Sequence, residues 1–117
     1  MNFFLHWITF GNDTQTLTLG VLPAPALVLL PYLIVKTAFN SSGTDNIRIG
    51  TDTDDDAFGT NYDVSAAFTT PANFTAGVGL GYYASGTKVQ AKYLKSGTAP
   101  STGEALVVLP YLRVPIL

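Results

Sequence analysis

Cysteine is absent from the 117 residues, histidine and glutamate occur once each, as His6 and Glu104, and lysine plus arginine total only six. Each shortage removes a class of function. Without thiols there is neither a disulfide framework nor a thiolate metal site, which excludes cross-linked secreted scaffolds and zinc ribbons. Six basic residues against eight acidic ones leave a formal net charge of -2. That offers no basic stripe to a phosphate backbone, so nucleic acid is not an expected partner. Any Ser-His-Asp triad would have to use His6, which sits in the aromatic run FFLHWITF, where a histidine is ordinarily a packed or edge residue. With Glu104 alone, a carboxylate pair for glycoside hydrolysis falls to the aspartates, and nothing singles a pair out. The glycines of AGVGLGY, Gly77, Gly79 and Gly81, alternate with Val78 and Leu80 instead of following G-x-G-x-x-G, and no helix pattern follows them. Neither a catalytic residue nor a cofactor is expected.

Apolar runs of membrane length are also missing. The longest, LPAPALVLLPYLIV, is about fourteen residues with three prolines, whereas a helical span takes roughly twenty. The opening MNFFLHWITF lacks a basic leader and a small-residue cleavage site, so it reads poorly as a signal peptide. A soluble chain with no membrane partner is the expectation. Asn12, Asn40 and Asn73 head Asn-x-Ser/Thr triplets, but a chain rich in Ser and Thr makes these by chance, and glycosylation is not expected without a leader.

What the sequence does have is period-two alternation broken by turn residues. In QTLTLGVL, Leu17, Leu19 and Val21 oppose Thr16 and Thr18; in NIRIG, Ile47 and Ile49 flank Arg48; in TKVQAKYL, Val89, Ala91 and Tyr93 oppose Lys88, Gln90 and Lys92. These patterns predict half-buried antiparallel strands. Turn-forming clusters such as LPAPA, NSSGTD, TTPAN and SGTAPSTGE separate them. About eight strands follow, near residues 3–10, 15–21, 27–38, 46–51, 61–66, 76–84, 87–95 and 104–114. The expected fold is all-β, a two-sheet antiparallel sandwich of the jelly-roll kind, filling residues 1–117 as one domain.

An internal echo stands out: ALVLLPYLIV at 26–35 and ALVVLPYLRV at 105–114 agree at eight of ten positions. The flanks do not repeat, which favours two long strands in similar environments over a duplication. Both are apolar at every position parity, so one face must meet the core and the other a further layer or a neighbour. Pro31 and Pro110 lack the amide hydrogen a ladder needs and mark places where the strands bend, switch sheets or leave the ladder. The bare face of Gly77, Gly79 and Gly81 fits a strand that another backbone or a large side chain approaches closely.

Two clusters carry what functional signal there is. Asp52, Asp54, Asp56 and Asp63 stand at positions 1, 3, 5 and 12 of an EF-hand-like count, which proposes a calcium site. Ala57 replaces the glycine such a loop needs, Asp63 replaces the bidentate glutamate, and no helices flank it. An acidic turn, with Phe58 folding back as its anchor, is the plainer reading. The second cluster is aromatic. Phe3, Phe4, Trp7 and Phe10 crowd the first strand, and rings on both of its faces cannot all be buried in one sandwich. Together with Tyr32 and Tyr111 of the two L-P-Y-L strands they form the expected partner interface, with residues 1–10 as an aromatic arm on a neighbouring subunit. Tyr82, Tyr83 and Tyr93 leave open a sugar-stacking platform.

The stretch TAFNSSGTDNIRIGTDTDDDAFGTNYDVSAA, beginning at Thr37, together with the late TAPSTGEALVVLPYLRV, resembles small all-β virion proteins of tailed bacteriophages. In these a long apolar strand ends in an A-F-N turn, SGTD leads a short strand, an Asp-rich segment with a Phe follows, and a Thr/Gly turn precedes an apolar last strand. The resemblance covers residues 15 to 114 in outline. It implies a non-enzymatic capsid cement or decoration protein on the outer surface of the virion, bound to the major capsid protein as a homotrimer. It supplies no active site and no cofactor. The rival expectation is a carbohydrate-binding or host-attachment module of a virion fibre, with calcium at the Asp-rich loop.

Overall fold

The alternating segments form strands in the computed structural model, which describes residues 1–69, 75–77 and 79–115. In chain order they are β1 (Asn2–Thr9), β2 (Thr16–Leu22), β3 (Ala26–Val28), β4 (Tyr32–Thr37), β5 (Asp45–Thr51), β6 (Gly59–Asp63), β7 (Phe68–Thr69), β8 (Thr75–Ala76), β9 (Gly81–Tyr83), β10 (Thr87–Lys95) and β11 (Glu104–Arg113). A single 3-10 turn, Phe10–Asn12, links the first two. Among the described residues no helix is long and apolar enough to cross a membrane. Every pairing is antiparallel.

Two sheets result. In the first, β11 is flanked by β1 on one edge and by β3 and β4 in succession on the other; β9 and β7 lie outside β3 and β4. In the second the order is β2-β10-β5-β6-β8. The chain pairs from its ends inward: β1 with β11, β2 with β10, β3 with β9, β5 with β6. An antiparallel ribbon paired in this way and rolled up is a jelly-roll sandwich. The expected strand near 76–84 is two segments in different sheets, β8 and β9; its Val78 lies outside the described residues.

Between the sheets Ile8, Val28, Leu33, Val35, Val107 and Leu109 meet Leu22, Ile47, Ile49, Val89, Ala91 and Tyr93, all at most 3% exposed. A fully buried aliphatic side chain of this kind contributes about 1.5–3 kcal/mol. Two tyrosine hydroxyls in this core are paired. The Tyr62 hydroxyl donates to the Pro31 carbonyl at 3.2 Å, and the Tyr93 hydroxyl donates to the carboxylate of Asp45, itself 2% exposed. Phe39 rests on the Tyr93 ring, centroids 4.7 Å apart, closing that end.

The two echoing decapeptides are neighbours. Ala26 opposes Arg113 and Val35 opposes Ala105, so the copies run head to tail along one ladder. They do not share one environment. Paired residue numbers sum to 139 along β3 and to 140 from Tyr32 to Val35 of β4, so one extra residue is accommodated between them, at the break containing Pro31. A one-residue slip turns every following side chain to the opposite face. Pro110 lies inside an unbroken strand, where its carbonyl accepts the Leu29 amide at 3.0 Å. Identical L-P-Y-L segments thereby point Tyr32 outward, 51% exposed, and Tyr111 inward, 7% exposed.

Residues 2–9 are an integral edge strand and not a projecting arm. Eight consecutive residues pair with β11, from Asn2 opposite Tyr111 to Thr9 opposite Glu104. The even positions face the core: Ile8 is fully buried, and Phe4 stacks on Tyr111 at 5.0 Å and 26°. Gly20 on β2 makes room for that ring, since a Cβ there would lie 2.7 Å from Phe4 Cε1. Deleting residues 1–10 should therefore remove cooperative thermal unfolding, followed by circular dichroism, and not merely trim a contact surface.

The buried phenols give the fold an alkaline limit. Burial raises Tyr62 above the ordinary value of 10.0, and burial with the Asp45 hydrogen bond raises Tyr93 further. The native state keeps these protons after the unfolded chain has lost them. The stability they carry is complete below pH 10 and declines as pH rises beyond it, by about 1.4 kcal/mol per pH unit for each phenol. Urea midpoints should fall steadily above pH 10, and the fall should be shallower in Tyr62→Phe.

Candidate functional site

Because β1, β4 and β11 of the first sheet are apolar at both parities, the outward face they form is apolar too. Trp7, Leu106 and Ile34 form one row across β1, β11 and β4, and Leu5, Val108 and Tyr32 form the next. Phe3 lies opposite Pro110, and Leu112, Leu27 and Tyr82 form the last row across β11, β3 and β9. Phe3, Leu5, Trp7, Tyr32 and Tyr82 are between 48% and 62% exposed. Charge appears at the rim, where Lys36 Nζ meets Glu104 Oε1 at 3.1 Å. Directly opposed apolar side chains in adjacent strands are close neighbours, so these rows make one patch and not scattered residues. Contiguous patches beyond a few hundred Å² on a monomer usually mark an interaction surface.

The outward face of the second sheet is different in kind. Thr16, Lys92 and Arg48 share a row across β2, β10 and β5, and Thr18 lies beside Gln90 in the next. The sandwich is thus mainly polar on one side, with Val21 exposed beside Lys88, and apolar on the other.

Of the expected interface residues, Phe3, Trp7 and Tyr32 come together on the apolar face. Phe10, 43% exposed, sits in the 3-10 turn just beyond β1. Phe4 and Tyr111 are instead stacked on each other on the core side. The face also includes Tyr82, one of the tyrosines considered for sugar stacking, and Leu5, Leu27, Ile34, Leu106, Val108 and Leu112, none of which was expected as a site residue. Their signal was the apolar character of both parities in β1, β4 and β11. His6 helps line a groove with Leu5, Trp7 and Leu106. Its Nδ1-H donates to the Trp7 carbonyl at 2.7 Å, so among the described residues the ring's hydrogen bond goes to backbone and not to a carboxylate.

The Asp-rich loop folds back over the polar sheet. Gly50 lies beneath it, where a Cβ would meet the carbonyl of Asp54, and the Thr51 amide donates to that carbonyl at 2.8 Å. Phe58 is fully buried and meets Tyr83 edge-on at 5.7 Å and 76°. Gly77 and Gly79 seat the other side of the loop, donating their amides to the Phe58 and Ala57 carbonyls at 3.1 and 2.8 Å. At Gly77 and Gly79 the closely approaching backbone inferred for the glycine stretch is the Asp loop itself, whereas a Cβ at Gly81 would meet nothing within 4 Å.

The carboxylates that converge are consecutive, Asp54, Asp55 and Asp56, with oxygens within 4.8 Å of one another. That is not the Asp52, Asp54, Asp56 and Asp63 set of the calcium count. Asp52 is exposed, and Asp63 Oδ1 accepts the Ser65 amide and hydroxyl at 2.9 and 2.6 Å near the far end of β6. Asp55 places one oxygen 3.5 Å from Arg48 Nη1 and the other 3.4 Å from Lys92 Nζ, pinning the loop to the sheet. A hydrogen bond with Asp56, and then desolvation and the negative charges of Asp56 and Asp55, hold the Asp54 carboxyl above its ordinary value. Calcium takes six to eight oxygens, and this loop has already committed both oxygens of Asp55 to cations.

The side chains of two glycosylation triplets have structural partners: Asn12 Oδ1 accepts the Thr9 amide at 2.8 Å, and Asn40 Oδ1 accepts the amides of Ser101 and Thr102 at 2.7 and 3.0 Å. Asn73 lies outside the described residues.

Comparison with known proteins finds no matching family model, no matching curated protein and no matching solved structure. Function has to be read from the chain's own geometry.

Two outcomes check the account of the loop. Asp55→Ala should lower stability in urea by under about 1 kcal/mol, the range for partly exposed ion pairs. Millimolar calcium should leave the melting temperature unchanged, whereas a rise of several degrees would mark the loop as a cation site.

Proposed function

We propose that this protein is a non-enzymatic bacteriophage capsid cement or decoration protein, which binds the outer surface of the shell formed by the major capsid protein and stabilises it as a homotrimer. The observation that carries the reading is the apolar outward face of the first sheet, which fits a protein that works inside an assembly of subunits. A protein that acts by being covered needs apolar surface, few charges and no reactive groups. Repeated identical contacts on a symmetric shell then multiply a modest affinity. The resemblance of the stretch beginning at Thr37 and of the closing strand to small virion proteins supports the virion assignment.

A sugar-binding or host-attachment role with calcium draws less support, because Asp55 is neutralised by Arg48 and Lys92 and Asp63 is turned to Ser65. Quantitative mass spectrometry of purified virions from the source tests the proposal through the copy number of this chain relative to the major shell protein. A ratio near one is expected for cement covering the lattice. A few dozen copies would reassign it to a vertex or fibre, and absence from virions would end the structural reading.

A further inference from the structure

The chemistry of the apolar face says more about its occupant than that one exists. Four aromatics on it, Phe3, Trp7, Tyr32 and Tyr82, are about half exposed or more. At roughly 200 Å² per aromatic side chain they leave on the order of 400 Å² in water before any aliphatic residue is counted. A stable specific interface takes about 800 Å² from each partner, and the Leu, Ile and Val side chains in the same rows bring the face toward that figure. Its composition also resembles half of a protein core. No charged side chain interrupts the rows between Trp7 and Tyr82; the Lys36–Glu104 pair stands at one end. Interfaces that dissociate and re-form are no more apolar than ordinary surface, whereas permanent subunit interfaces resemble a divided core. The shape agrees, since a sheet face accepts another sheet face at about 10 Å spacing, as inside the sandwich itself.

From this we infer that the outward face of β1, β11, β3 and β4 is covered by the same face of further copies of this chain, and that it is a permanent subunit interface and not the surface that meets the shell. The inference rests on the premise above that the face works by being covered. It does not rest on the virion assignment. Burying this side leaves the polar sheet and the Asp-rich loop as the outer surface of the assembly.

The edge of β1 supports the same occupant. An eight-residue edge strand with no proline and no lysine is the kind that natural proteins blunt or cover. Copies packed over Phe3, Leu5 and Trp7 would shield it.

The single tryptophan lies at the centre of the argument and reports on it directly. Light scattering after gel filtration at micromolar concentration should give a small whole-number multiple of 12.4 kDa, with Trp7 emission shifted to the blue and protected from acrylamide. Leu5→Glu and Tyr32→Glu should each weaken self-association by about a hundredfold or more, because each leaves an unpaired charge in the contact. Both should retain wild-type circular dichroism and move Trp7 emission to the red. Lys88→Glu, on the polar sheet, should keep the wild-type mass. A wild-type chain that is monomeric at 12.4 kDa with Trp7 in water overturns the inference, even if it binds capsids, lipid vesicles or glycans through this face. So does an oligomer in which Trp7 stays open to acrylamide, a readout that needs no variant to fold. A multimer with protected Trp7 from a chain absent from virions would uphold the interface and end the cement reading instead.

Discussion

The last strand, β11, is hydrogen-bonded along both edges, to β1 on one side and to β3 and β4 on the other. Its side chains alternate between the sandwich interior and the outside, and ALVVLPYL offers apolar groups to both. Both neighbours do the same: β1 sends Phe4 and Ile8 inward and Phe3, Leu5 and Trp7 outward, and β4 sends Leu33 and Val35 inward and Tyr32 and Ile34 outward. A half-buried antiparallel sheet ordinarily keeps one polar face. Three adjacent strands without one leave a second apolar face, and the pairing around β11 turns three sequence segments into one surface.

Much of this was legible in the chain. Alternation and turn residues located most strands within a few positions, because the period of two is a direct imprint of the pleat. The doubly apolar character of the L-P-Y-L segments announced that a face beyond the core existed. What the sequence withheld was parity after a break. Nothing in L-P-Y-L says that the ladder absorbs an extra residue beside Pro31 and none beside Pro110, so Tyr32 and Tyr111 were grouped together although they point to opposite sides. The grouping of Phe4 with Phe3 and Trp7 failed for a related reason. A strand rich in rings at both parities does not reveal which parity faces a glycine across the core, and only the register of β2 places Gly20 under Phe4. Pairing order was out of reach because antiparallel partners leave no trace in local periodicity.

The motif residues that suggested a virion protein have structural work in this fold. Phe39 of A-F-N closes one end against Tyr93, Asn40 brackets the Ser101–Thr102 turn, and Asp45 of SGTD accepts the buried Tyr93 hydroxyl. The Asp-rich loop is held by Gly50, Gly77 and Gly79 below and by Phe58 within. These residues hold the fold together. The exposed apolar surface lies elsewhere, in β1 and the outward rows of its sheet.

Pairing from the ends inward also has a consequence in time. Residues 2–9 leave the ribosome well before their ladder partners, residues 104–111, are made. Contacts so distant in sequence are slow to form, typically on the millisecond-to-second scale for all-β domains. During synthesis the most aromatic segment of the chain therefore waits unpaired while the other strands appear, and an unpaired apolar strand is what drives nascent chains to associate wrongly. For this protein the hazardous interval lies between translation of Trp7 and translation of Leu106.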